Sequence, residues 1–235
     1  KEVHRFDFDS KLAPIGSYLQ DLVISPDGKT VYIADASFFR KAPAIVIYDL
    51  ATKAARRVLE DDPSVMAQNF MISTYAGPST RMGGLLSLKI GVDSIAIDDS
   101  GQWLYYGAMN HPDLFRVQTT HLLNASVGQI AAASQKYADK VQSDGITIDS
   151  AGTVYMTDVE HGSIAIIPPD RKLKTLLKHP KMRWPDGFSF GPDGYLYIAD
   201  SAIPDIVMQS KDHVQKSAPY HLFRVKLDAQ AVPGQ

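Results

Sequence analysis

The sequence predicts an all-β chain folded as blades of a β-propeller, and three observations predict it. A glycine-centred segment recurs four times, each copy alternates apolar residues on both sides of a tight turn, and further short strands follow at the spacing of a blade. The four segments are QDLVISPDG (Gln20–Gly28), DSIAIDDSG (Asp93–Gly101), DGITIDSAG (Asp144–Gly152) and DGFSFGPDG (Asp186–Gly194). After the glycines come KTVYIAD, QWLYYGA, TVYMTD and YLYIAD, rich in the β-branched and aromatic residues that suit a pleated surface. Two such runs joined by Asp-Gly or Ser-Gly form a hairpin. The copies start 73, 51 and 42 residues apart, and four-stranded repeats of roughly 40–50 residues are the signature of propeller blades. An ordinary antiparallel sandwich would give strands without register-matched copies.

Taken in chain order, Val3–Phe8 alternates like the last strand of a blade that lies upstream. Copy one continues with strands over Ala44–Asp49 and Ala55–Leu59, and copy two with Asp113–Val117. Ser126–Asp139 is Ala-rich, lacks β-branched runs after Ile130, and reads as a short helix grafted onto blade two. Copy three adds Ser163–Ile167 and Leu173–Leu177, and copy four a single clear strand, Tyr220–Leu227. Four copies do not close comfortably. The expectation is one propeller domain over residues 1–235, with one or two N-terminal blades outside it.

Composition narrows the function classes. Of 235 residues 45% are hydrophobic and 21% charged, with a net charge of -2, enough apolar material for a sizeable core. The longest purely apolar run is Ala44–Tyr48, far short of the roughly 20 residues of a membrane span. Lys and Arg are scattered, so no basic stripe suggests nucleic acid. The absence of cysteine excludes disulfides, thiolate metal sites and a Cys nucleophile, but leaves the compartment open.

Propeller topology converts strand order into geometry. The starts of the inner strands, the loops between strands two and three and the inter-blade links share one face; the Asp-Gly hairpins lie on the other. Both long insertions, Glu60–Gly91 and Ile203–Pro219, fall on the first face. Long loops on one face of a rigid scaffold are usually functional; the alternative is tolerated decoration. Gln20, Asp93, Asp144 and Asp186 start the inner strands, so three carboxylates and an amide converge on the channel mouth. Like charges converging in a poorly solvated space either take up protons or share a cation. An all-oxygen set suits a hard cation, calcium before zinc. The other reading is that each Asp caps its own turn, which Gly145 and Gly187 favour. His111 and His161 fall in strand two–three loops, within reach of a ligand as base or donor or else as solvated surface. Phe38 and Phe39, in the matching loop of blade one, make an apolar wall or core.

YLQDLVISPDGKTVYIADAS followed by AIVIYDLATKAARRVL, together with the run from VDSIAIDDSGQWLYYGAMNHPDLFRVQTTHLL through SDGITID to RWPDGFSF, resembles the major royal jelly protein/yellow family, including its bacterial members. The similarity covers nearly the whole chain. It implies a six-bladed propeller, often secreted, of which some insect members bind small amines. The wider superfamily is similar to gluconolactonase and senescence marker proteins, calcium-dependent lactone hydrolases. By that resemblance Asp144 (SDG) and Asp186 (PDG) match the carboxylate metal ligand, Asp93 stands where Asn is commoner, Gln20 departs from the pattern, and the N-terminal Glu ligand belongs to a blade upstream.

The expected function is therefore small-molecule binding in the central channel, with a divalent cation, calcium first, as cofactor. Two forms stay open. One is a lactonase-like hydrolase in which the cation polarises a lactone carbonyl and acidifies a water, with Asp144 or Asp186 as ligand or base. The other is a non-catalytic binder of an amine or aromatic ligand, with the Asp cluster as counter-charge. A protein-interaction platform is the third class. Neither nucleic acid nor a membrane span is expected, and the resemblance implies a secreted or periplasmic location.

Overall fold

The computed structural model of the protein describes residues 1–69, 71–78, 80–81, 86–87 and 89–234. Four antiparallel sheets follow one another along the chain. Blade one is β1 (Leu19–Ile24), β2 (Thr30–Asp35), β3 (Ala44–Asp49) and β4 (Ala55–Val58), hydrogen-bonded in that order. Two short hairpins follow, β5 (Ser73–Thr74) with β6 (Gly77–Pro78) and β7 (Thr80–Arg81) with β8 (Leu86–Ser87). Blade two comprises β9 (Val92–Ile97), β10 (Trp103–Ala108), β11 (Asp113–Gln118), then α1 (Thr119–Asn124), α2 (Val127–Ala133) and β12 (Gln135–Asp139). Blade three is β13 (Ile146–Ile148), β14 (Val154–Asp158), β15 (Ser163–Ile167) and β16 (Lys174–Lys178). Blade four has three strands, β17 (Pro185–Phe190), β18 (Tyr195–Asp200) and β19 (Leu222–Lys226), with α3 (Ile203–Ile206) and α4 (Lys211–Lys216) between the last two. The chain is thus a four-blade propeller arc.

The repeat glycines fix the hairpins. Gly28, Gly101, Gly152 and Gly194 all take φ between 69° and 83°, a left-handed conformation that costs a side chain with a Cβ but not glycine. The strands' two faces serve two interfaces, because successive side chains point to opposite sides of a sheet. In β10, Leu104 and Tyr106 pack toward Ile45 and Ile47 of blade one, while Tyr105 packs toward Ile146 and Met156 of blade three. Leu196 and Ile198 of β18 meet Tyr155 and Ile164 of blade three.

Val3–Phe8 pairs with no strand among the described residues; Phe6 and Phe8 pack on Tyr48, with ring centroids 4.5 and 6.2 Å away, on the face of blade one turned away from blade two. One sequence expectation is corrected. Ser126–Asp139 is helical only to Ala133. Gln129 Oε1 accepts the Ser126 N–H at 2.9 Å, a reciprocal cap that starts α2, but residues 135–139 pair with β11 as the fourth strand of blade two. Burial of Tyr137 against Tyr105 outweighs the weak β-propensity of that stretch.

Candidate functional site

The inner strands start where the repeat places them. Gln20 and Asp93 are the second residues of β1 and β9, Asp186 is the second of β17, and Asp144 stands two residues before β13. All four side chains line one cavity of about 400 Å³ at the channel mouth. Its walls are apolar, built by Tyr18, Phe38, Phe39, Met109, Trp184 and Ile203. A second chamber of about 210 Å³ shares Gln20, Asp144 and Asp186 and adds Asp21 and Thr147, so the carboxylates stand between an outer and an inner space.

Turn-capping does not account for Asp144. The backbone N–H groups of Asp144 and Gly145 both donate to Thr157 Oγ1, at 3.1 and 3.0 Å, so the turn is capped from β14. The capping aspartates stand at the ends of second strands. Asp200 Oδ1 accepts the N–H groups of Arg183 and Trp184, and Asp35 Oδ1 those of Tyr18 and Ser37. The Asp144 carboxylate instead accepts the Trp184 indole N–H and a hydrogen bond from Asp93. Burial, then repulsion from Asp186, raises its pKa to about 7.

Asp93 is only 2% exposed. Burial and the neighbouring Asp144 push its carboxyl well above the ordinary range, and its Oδ1 has no hydrogen-bond partner. The pKa of Asp186 is also raised by burial. Sequence reasoning missed Asp21, whose pKa burial raises to about 6, with Asp186 adding to it. A register shift between Leu19 and Asp21 turns both Gln20 and Asp21 toward the channel, because a bulge lets two successive residues share a direction. The adjacent acid in the Gln-Asp pair was the available signal. Lys140 was missed too. It is 5% exposed, its stem lies over Gly107, its Nζ donates to the Val141 carbonyl at 3.0 Å, and burial lowers its pKa to about 7 against the pull of Asp93 and Asp113.

Phe38 and Phe39 both reach the cavity, edge-to-face with centroids 4.9 Å apart. The two histidines do not. His111 Nδ1 accepts the Asp113 N–H at 3.0 Å and its ring packs on Phe115, so it shapes its loop from a buried position. His161 Nδ1 lies 3.0 Å from the Asp158 carboxylate, with the ring largely in solvent.

Both insertions lie on the site face, as the topology requires. Ile72 is buried with Met109, Val159, Trp184, Ile90 and Ile203, and Ile90, Ile203 and Val207 line the cavity. Residues 70, 79, 82–85 and 88 of the first insertion lie outside the described residues. The all-oxygen donor set has the chemistry of a hard-cation site. Its arrangement does not fit as it stands: among the described residues no three His, Asp or Glu side chains are grouped to hold a metal ion. Among those residues, no helix is long and apolar enough to cross a membrane.

Residues 1–179 match the family model described as Major royal jelly protein. No curated protein matches the chain by sequence. Among solved structures, the chain is similar to a calcium-binding protein, regucalcin, from Agrobacterium tumefaciens, at 18% identity and a TM-score of 0.61, over 92% of this chain and 63% of that one. It is similar to a luciferin-regenerating enzyme at 14% identity and a TM-score of 0.60, over 93% and 64%. It is also similar to a gluconolactonase from Xanthomonas campestris at 13% identity and a TM-score of 0.52, over 78% and 55%. The chain therefore spans less than two thirds of the length of these structures, and at such identities the likeness is one of fold.

Proposed function

The chain belongs to the major royal jelly protein family, and from that premise we propose that it is a small-molecule-binding propeller whose channel mouth takes a cationic ligand. The observation that carries this reading is the cluster of Asp93, Asp144 and Asp186 under an apolar wall, with one buried Asp93 oxygen lacking a partner. Carboxylates crowded out of water gain most from a positive charge brought among them, and Phe38, Phe39 and Trp184 offer faces to the body of an organic ammonium ion. Calorimetric titration with 2-phenylethylamine at pH 8 tests it. Asp144→Asn should weaken binding by roughly ten-fold, the loss of about 1.4 kcal/mol expected of one charge contact. Equal affinity of the two proteins would remove the carboxylates from the site.

The second reading is a divalent cation, calcium before zinc, in the same cluster, whose carboxylates would have to draw together to hold it, since as they stand no three of the described residues are grouped around a metal position. What favours it is again the unpartnered Asp93 oxygen, together with the likeness to a protein described as calcium-binding and to a gluconolactonase. Lactone hydrolysis belongs to this reading, with Asp144 and Asp186 as the residues to hold or activate a water. A rise in melting temperature with calcium, reversed by chelator, favours this reading; an amine-induced rise that chelator leaves unchanged favours the first. The complete propeller is proposed to have six blades.

A further inference from the structure

The two insertions touch each other across the mouth. Leaving blade one, the first insertion is bonded to blade two where the Gln68 N–H donates to the Asn110 carbonyl at 2.7 Å. It reaches blade three where the Ser73 N–H donates to Glu160 at 2.8 Å, and blade four where the Tyr75 hydroxyl donates to Asp205 at 2.8 Å. Asp205 is held in turn: Arg183 Nη1 donates to it at 2.7 Å, and the His213 ring lies 3.3 Å away. Arg183 also donates to the carbonyls of Ser217 and Pro219, closing the second insertion on itself. Between these bonds Ile72 rests on Met109, Trp184 and Ile203, three residues of the cavity wall.

We infer that the two insertions form a clasp over the channel mouth, latched by the Tyr75–Asp205 hydrogen bond, and that ligand entry requires this latch to open. The asymmetry of its contacts supports the assignment. The inner part of the clasp is apolar and buried at Ile72, whereas Tyr75 is 54% exposed and bound to Asp205 through its hydroxyl. An exposed single bond between surface loops opens at far lower cost than the blades themselves. Entry of a ligand rests on the functional reading above; the existence of the clasp does not.

The test uses Trp184, which is buried in the wall, as the reporter. In a Trp103→Phe background it is the single tryptophan, and acrylamide quenching of its fluorescence reads access to the mouth. Tyr75→Phe, which removes the hydroxyl alone, should raise the quenching constant roughly three-fold, the population shift that loss of one exposed hydrogen bond produces. Asp205→Asn, which weakens the same bond together with the Arg183 ion pair, should raise it as well, and Tyr75→Phe added to that variant should contribute less than it does alone. Unchanged quenching in both single variants overturns the clasp, as does a rise matched by a large fall in melting temperature, which is general loosening. If quenching rises but 2-phenylethylamine binds neither protein, the clasp stands and the amine reading falls.

Discussion

Asp144 and Asp200 are both buried, both ordered by blade four, and suited to opposite tasks. Asp200 is spent on the Arg183 and Trp184 backbone N–H groups and on the Arg183 side chain. Asp200→Ala strands those donors, and chemical denaturation should show a loss of about 3 kcal/mol, the cost of leaving buried partners unpaired. Asp186→Ala removes a group that repels its neighbours and should cost under about 1 kcal/mol. A reversed order would mean the structural and ligand-facing aspartates have been exchanged. The Asp144 carboxyl titrates at about 7 in the fold against an ordinary 3.8. The folded state therefore holds the extra proton between those values. That contribution is fully present below about pH 4 and is lost as pH rises through about 7. Asp144→Asn keeps an oxygen for the Trp184 indole and stays neutral. It should exceed the parent in stability by on the order of 1–2 kcal/mol at pH 8 and match it near pH 4; urea midpoints at the two pH values decide this.

The elements follow local chemistry where turns and caps dominate. α2 begins on the Ser126–Gln129 pair, whose N–H to Oε1 bond is 2.9 Å, and Ile130 is its buried anchor. Gln129→Ala should cost roughly 1 kcal/mol, as for a lost cap, with loss of helical signal confined to this small element. Its site at the outer edge of blade two means that ligand affinity should be unmoved. An affinity change comparable to that of Asp144→Asn would show that the helices communicate with the channel mouth.

Across the whole molecule, the C-terminal tail ties blades that are far apart in sequence. The Ser150 N–H donates to the Gln230 carbonyl and the Ile24 N–H to the Gly234 carbonyl, both at 3.0 Å. Ala231 bridges to Asp149, and Val232 is buried among blade-two and blade-three residues. The tail thus runs from blade three to blade one on the hairpin face, opposite the clasp. Val232→Ala should lower global stability by roughly 2 kcal/mol, the removal of two buried methyl-sized groups. A local loss of protection at residues 230–234 without any shift in the global transition would mean that the tail merely rests on the surface.

The sequence by itself determined the blades, the channel-facing ends of the inner strands and the face that carries the insertions. These rest on local signals: a period of two along each strand, a left-handed glycine at each hairpin, and strand order. It also placed Asp93, Asp144 and Asp186 at the mouth, since inner-strand starts are fixed by the repeat. Tertiary structure alone decided what those residues do there. A bulge at Leu19–Asp21 brought in a fourth carboxylate, Thr157 relieved Asp144 of its turn, and His111 was spent on its own loop. Lys140 entered the interior from an outer strand's end, and Phe6 and Phe8 found Tyr48 of blade one as their packing partner. Each of these depends on contacts between residues far apart along the chain, where burial and the choice of hydrogen-bond partner are settled by packing and leave no local periodicity to read.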